Sequence, residues 1–444
     1  MRLSRLPRMR TWLVVVGLAG LAQAVPAASL LEAYRLAREN DRQWRVAQAR
    51  HLESREFVPQ ARSQLLPVIG LSASQSRQSQ QLTTGSVTGA EQNYPSTARS
   101  LTLRQPLMVG RQMAALSQAE ARSRQSDNTL LEEGQQLALR LVDAYFNHLL
   151  SLDRKAALDA QKAFVAARRD AAAAALRAGQ GTRTDLDEAS AELDRLRALE
   201  IQMEQAMQLT RRQLEIITAR PIEAVRSLRL ADFSTEGFAV RSLEETLGRA
   251  LASNPSVQAA REDIEIARGA LRQTSRGHWP SLDLVAQVSQ GTGENQYFAS
   301  TTNRNRSLGL QLSLPIYSGG LIQSQERQAS ARLTLAEEQL EATTNTLRVQ
   351  VQTEHDAVRR GVALLAALQT AVKSAEQALV SSQRGQQAGV RSTLDVLRAD
   401  SQRSQVRLEL AEARYDLMRA WLKLRALEGG LGEAELGQVN ALLD

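Results

Sequence analysis

Few residues of this 444-residue chain are arranged to do chemistry. It has no cysteine, which excludes disulfides, thiolate metal sites, a cysteine nucleophile and a lipidated N-terminal cysteine. The four histidines, His51, His148, His278 and His355, stand far apart, with none of the short spacings of a metal site. Gly291-Thr292-Gly293 carries only a fragment of a phosphate-binding glycine loop. No serine sits on a recognisable strand–turn–helix elbow. Tyr145 and Phe146 read as packing residues within a helix. Catalysis, a metal and a cofactor are therefore not expected. One polar pattern does recur: Gly179-x-x-Thr182-x-x-Asp185-Leu186-x-x-Ala189 returns as Gly389-x-x-Ser392-x-x-Asp395-Val396-x-x-Ala399. The glycine suits the left-handed residue that ends a helix. The Thr or Ser, three residues before an acid, suits the N-cap of the next helix. Each copy is expected to be a tight helix–turn–helix tip. Capping alone would explain the residue types; a further role would follow from the tip being the free end of a long hairpin.

Two other segments repeat in the same order. Leu66-Pro67-Val68-Ile69-Gly70-Leu71 returns as Trp279-Pro280-Ser281-Leu282-Asp283-Leu284, and Leu103 to Gly110 returns as Leu312 to Gly319. Three landmarks in register imply a duplication, with a period too long for a solenoid. The expected halves are 29–219 and 242–428, joined by an irregular linker at 220–241 and followed by a tail at 429–444. Each half reads as helix, strand, loop, strand, very long helix, turn, helix. The first helices are expected from about Leu30 to Gln64 and from about Leu243 to Arg276. The long ones are expected from about Arg111 to Arg177 and Leu321 to Gln387, without an interior proline. Such a helix would extend roughly 100 Å. It cannot sit inside a globule and needs lateral partners along its length, as in a coiled-coil-like array.

The strands carry a different signal. Leu308, Leu310, Leu312 and Leu314 alternate with Ser307, Gly309, Gln311 and Ser313; Leu282, Leu284, Ala286 and Val288 alternate with Ser281, Asp283, Val285 and Gln287. Ile69 with Leu71, and Leu101 with Leu103, repeat the pattern. One apolar and one polar face suit a barrel wall between lipid and water. A β-sandwich hairpin would show the same alternation, but no other β-rich segment offers a partner layer. Four strands cannot close a barrel, which takes about eight. A membrane-spanning sheet would therefore have to oligomerise. Segments 78–98 and 290–305, rich in Gly, Ser, Thr and Asn, are expected to be loops.

Residues 1–28 carry Arg2, Arg5, Arg8 and Arg10, an apolar run from Trp12 to Ala22, and small residues beyond, the pattern of a secretory signal peptide. Losing those four arginines takes the formal charge of +7 down to +3. Basic residues are interleaved with acids, so no nucleic-acid partner is expected. Aromatic residues make up only 4%, which suits long helices with thin apolar seams better than a thick core.

Taken with Gly277-His278-Trp279-Pro280-Ser281-Leu282-Asp283-Leu284, Ser313-Leu314-Pro315-Ile316-Tyr317-Ser318-Gly319-Gly320, Ala144-Tyr145-Phe146-Asn147 and the two tips, the chain resembles the TolC-type outer-membrane channel-tunnel family. The resemblance spans essentially the whole chain after residue 28. It implies a mainly α fold with a transmembrane β-barrel portion. A homotrimer would give four strands per protomer to one 12-stranded barrel, and its helices would continue as a long periplasmic α-helical barrel. It also implies an export duct of the Gram-negative outer membrane, for type I protein secretion or multidrug efflux. Such a duct docks to a periplasmic adaptor and an inner-membrane transporter, ABC-type or proton-driven. In that family the tips close the periplasmic entrance. Asp395 matches the constriction aspartate, and Arg391 with Asp185 matches a pair that latches neighbouring tip helices. Gly179, Thr182, Gly389 and Ser392 match the tip turns where an adaptor docks, and Leu308, Leu310, Leu312, Leu282 and Leu284 would face lipid. Arg398 stands where some relatives have a second acid, which would alter a double acidic ring. A periplasmic adaptor or a coiled-coil scaffold without a pore are the competing readings; an adaptor should show lipoyl-like β segments and a single hairpin.

Overall fold

The computed structural model describes residues 28–443 apart from 82, 223, 229–232, 296 and 297. The expected signal peptide lies outside the described residues except for Ala28. Two helices dominate: α4 (Gly110–Arg177) and α8 (Leu321–Gln387), of 68 and 67 residues. Each turns back into a shorter partner, α5 (Arg183–Thr218) and α9 (Thr393–Leu427). Lateral contacts run α5 to α4, α4 to α9 and α9 to α8, so α5 and α8 form the flanks of the four-helix layer.

The opening helix of each half is broken where one continuous helix is expected. The first is three pieces: α1 (Leu30–Asn40), α2 (Arg42–Arg55) and α3 (Phe57–Ser63). Asp41 is extended, with ψ of 129°, and its carboxylate caps α2 by accepting from the Trp44 N–H at 2.7 Å. Pro59 has no N–H for the Arg55 carbonyl, so the α2 ladder cannot run through it. The second half divides into α6 (Leu243–Ser253) and α7 (Pro255–Ser275). There the Asn254 side chain accepts from the N–H groups of Ser256 and Val257, and Pro255 occupies the first helical position.

The sheet comprises β1 (Val68–Gln80), β4 (Gln92–Pro106), β5 (Ser281–Asn295) and β6 (Phe298–Ser313), antiparallel in the order β1-β4-β5-β6. Short β2 (Thr83–Thr84) and β3 (Val87–Thr88) form a small hairpin between the first two. The strands run well into the segments expected to be loops, at 78–98 and 290–305. Their outer ends are polar on both faces, which hides them from an alternation test but does not prevent ladder pairing. No strand covers the free edges of β1 and β6 in the described chain.

Where the helices meet halfway along, the core thickens. Tyr145, Phe146, Tyr415, Met418 and Trp421 are almost wholly buried there. The Phe146 and Tyr415 rings sit 5.5 Å apart, and the Tyr415 hydroxyl donates to Asp153 at 2.8 Å. The Tyr145 hydroxyl donates to the carbonyls of Ala28 at 3.0 Å and Arg226 at 3.2 Å, pinning both segments to α4. Ala28 pairs alongside Val225, and Leu228 pairs with Leu443, so the stretch after α5 and the end of the chain wrap this same level. The helix α10 (Glu433–Asn440) packs there too. Substituting Tyr145→Phe removes one shared donor, worth about 1 kcal/mol. Limited proteolysis should then cut within 220–241 roughly fivefold faster than in the parent, while total helix content by circular dichroism stays unchanged.

Candidate functional site

Both sequence-matched tips form as expected at the far end of the helices from the sheet. Gly179 and Gly389 take φ of +71° and +74°, a conformation that a Cβ disfavours. Behind them the chain closes α4 and α8 with short bonds, Gln180 N–H to the Ala175 carbonyl and Val390 N–H to the Gly385 carbonyl, each 2.9 Å. Thr182 and Ser392 then cap α5 and α9, accepting from the N–H groups of Asp185 at 3.1 Å and Asp395 at 3.2 Å.

The two acids behave differently from this point. Asp395 turns back on its own cap: its carboxylate accepts from the Ser392 N–H and hydroxyl, both at 2.9 Å. Those bonds, followed by the charges of Arg391 and Arg398, hold its pKa below the usual carboxylate value. Asp185 accepts from the Thr182 hydroxyl at 2.5 Å and lies beside the Thr393 hydroxyl at the start of α9, and both hydroxyls lower its pKa likewise. Thr393 in turn accepts from the Gln386 amide at 2.9 Å, and the Gln386 oxygen accepts from Arg168 at 2.6 Å. The polar chain Arg168–Gln386–Thr393 thus joins α4, α8 and α9 within one protomer and ends beside Asp185 of α5.

Among the described residues Arg391 and Asp185 form no ion pair with one another; Arg391 lies against Gly385, where an added Cβ would come within 2.9 Å of its Cγ. Arg398 lies near enough to Asp395 to depress its pKa. Two residues further on, Asp400 is 1% exposed and pairs with Arg403 at 2.5 Å; burial raises its pKa against the pull of Arg403, Arg407 and Arg168. Leu158, Val165, Leu193, Leu196 and Leu397 form a small apolar seam close behind the tips. The sequence pattern does not mark Arg168, Gln386, Thr393 or Asp400. Thr393 stands next to a cap and Gln386 in a last helical turn, positions that carry no distinctive spacing.

At the other end, the pairing register aligns the apolar residues across strands. Ile69, Leu103, Ala286 and Leu308 form one row; Leu71, Leu101 and Val288 the next; Leu284 faces Leu310, and Leu282 faces Leu312. Leu308, Leu310 and Leu312 are 64–75% exposed, an apolar sheet face open along its length. The opposite face is polar, with Arg104 paired to Asp283 at 2.6 Å and the hydroxyls of Ser72 and Ser100 2.7 Å apart.

The depressed carboxyl values fix a pH dependence for the tips. A lowered folded pKa contributes stability that is present above the unfolded value and lost as pH falls through the folded one. The ordinary value is 3.8. Amide protection in the first turns of α5 and α9, corrected for intrinsic exchange, should therefore stay level from pH 8 to 5 and fall only below about 3.8. At neutral pH, Thr393→Val removes the hydroxyl beside Asp185 and should speed exchange at 183–187 by on the order of fivefold, the size of one polar contact. It should leave the Ser392-capped turn of α9 near parent.

Comparison with known proteins places these features in one family. The family model described as outer membrane efflux protein matches residues 33–220 and 246–430. The proteases secretion protein PrtF of Dickeya chrysanthemi is 30% identical over 437 residues, covering 96% of this chain and 93% of the relative. The alkaline protease secretion protein AprF of Pseudomonas aeruginosa is 30% identical over 444 residues, covering 98% and 91%. Among solved structures, the outer-membrane channel OprN superposes with a TM-score of 0.78 at 19% identity, over 91% of this chain and 90% of that one. Broken opening helices, duplicated tips and an open four-stranded sheet accordingly sit on the fold of such a channel, and the chain belongs to the outer membrane efflux protein family.

Proposed function

We propose that the chain is one protomer of a trimeric export duct through the outer membrane, serving type I protein secretion. One observation carries this: a four-stranded sheet with an exposed apolar face and two uncovered edges, continuous with helices about 100 Å long. Three copies, each joining the β6 edge of one to the β1 edge of the next, give 12 strands, enough to enclose a channel. The flanking helices α5 and α8 meet their neighbours in the same sense. Ile201, Leu209 and Ile216 on α5, and Val349 and Leu364 on α8, are the exposed apolar residues that such contacts would cover. Leu282, Leu284, Leu308, Leu310 and Leu312 then face lipid. The two halves, 29–219 and 242–428, are the products of one duplication.

The duct conducts passively, with no catalytic step. Its resting state is closed at the tips, where three copies of Asp395 approach the axis, flanked by Arg391 and Arg398. Asp185 is held by its own cap at Thr182 beside Thr393, and Arg391 remains available to a neighbouring tip. An exposed ion pair is worth about 0–1 kcal/mol, so closure rests on the polar chain at the tips and on the seam behind it. A periplasmic adaptor with an inner-membrane ABC transporter opens the entrance by binding the open arrangement better than the closed one. Gly179, Thr182, Gly389 and Ser392 lie where that adaptor docks.

The names of PrtF and AprF support protein secretion as the cargo class. The family description supports efflux as the second reading, for which the inner-membrane partner would be a proton-driven transporter. Disrupting the gene decides between them: loss of a secreted protein from the medium supports the first, and drug sensitivity with intact secretion supports the second. In planar bilayers the parent channel should show small, closed-state conductance. Asp185→Ala combined with Arg391→Ala should raise it several-fold, and unchanged conductance would sink the latch.

A further inference from the structure

The outward face of the sheet changes character along its length. From Leu282 and Leu312 up to Leu71, Leu101 and Val288 it is apolar, and then it becomes basic. Arg306 completes the row of Leu71, Leu101 and Val288; Arg99 and Arg304 belong to the next row, with Ala73 and Gln290. All three arginines are exposed and share the parity of the apolar residues, so they stand on the same outward face. Rows 73/99/290/304 and 71/101/288/306 hold no acid. No ion pair engages these arginines among the described residues, whereas Arg104 on the opposite face is paired with Asp283. Arg99 and Arg304 flank Gln290 across one strand, about 10 Å apart at the backbone, a span that two long side chains can close on one anion.

An unpaired arginine on a lipid-facing strand is costly at the middle of a bilayer and tolerated only at its edges. Leu312 and Arg304 lie eight residues apart on β6, about 27 Å along the strand and roughly 20 Å in height at the usual barrel tilt. That places the arginines at the outer boundary of the hydrocarbon if the helices lie in the periplasm. A guanidinium cluster there suits phosphate, which it binds with paired, charge-assisted hydrogen bonds. We infer that Arg99, Arg304 and Arg306 form a binding site for a phosphorylated glycolipid of the outer leaflet. The site anchors the barrel wall and sets its height. It rests on the outer-membrane duct reading and names a ligand for the outward face.

The test uses the purified full-length protein in neutral detergent, titrated with diphosphorylated lipid A, its dephosphorylated form, and phosphatidylglycerol, with bound lipid read by native mass spectrometry. The parent should bind diphosphorylated lipid A at least about tenfold more tightly than R99Q/R304Q/R306Q, and added salt should weaken only the parent. R99K/R304K/R306K, which keeps the charge and loses the planar fork, should bind between the parent and the glutamine variant. The inference is overturned if the glutamine variant binds equally, if the dephosphorylated lipid binds equally, or if phosphatidylglycerol binds as well as lipid A. Bilayer conductance measured on the same preparations keeps the two claims apart. A parent that forms no channel would defeat the duct reading, whereas a conducting glutamine variant with parental lipid binding defeats only the glycolipid site.

Discussion

A β-strand in hydrocarbon cannot leave its N–H and C=O groups unpaired, and this chain leaves two strand edges open. In water an open edge is a liability; in a bilayer each unpaired group costs several kcal/mol, so an open sheet is not viable. The edges of β1 and β6 therefore decide the assembly. Because the two edges belong to opposite sides of one protomer, joining them between copies is heterologous, and a three-fold rotation closes it into a ring. The helical layer inherits the same ring, since α5 and α8 flank it as β1 and β6 flank the sheet. A hollow interior follows, and the small share of aromatics becomes intelligible: thick packing is needed only at the level of Tyr145, Tyr415 and Trp421.

Duplication supplies near-equivalent halves, yet the two tips have diverged in how their acids are used. Ser392 and Asp395 form a complete reciprocal cap. Asp185 accepts from Thr182 and lies beside Thr393 of the second tip, so the first tip leans on the second. The dependence runs one way within the protomer and continues through Gln386 to Arg168. An arrangement of this kind favours joint movement of the two hairpins over separate fraying of one, which suits an entrance that must open as a unit.

Much of this was legible in the residues. Strict apolar alternation at 308–314 marked strand β6, proline-free runs marked α4 and α8, and the Gly…Thr/Ser…Asp spacing marked both caps. What escaped has physical reasons. Breaks at Asp41 and Asn254-Pro255 carry ordinary N-cap signals, but in stretches rich in good helix formers they are easily averaged away. The outer halves of the strands are Ser-, Thr-, Gln- and Asn-rich on both faces, so nothing alternates there, although the ladder continues to Gln80 and Asn295. The link from Asp185 to Arg168 joins residues on four helices, and no linear pattern states the register between helices some 200 residues apart.

Closure of the sheet between copies is the claim on which the rest depends, and cysteine cross-linking tests it most directly. The chain has no native cysteine, so the background is clean. Cells would co-express two differently tagged forms, one bearing single cysteines scanned along β1 and the other single cysteines along β6. The account predicts disulfides between the two tags at matched register, in a particle with the mass of three chains. A particle with the mass of one chain, or no inter-tag disulfide at any register, would contradict it.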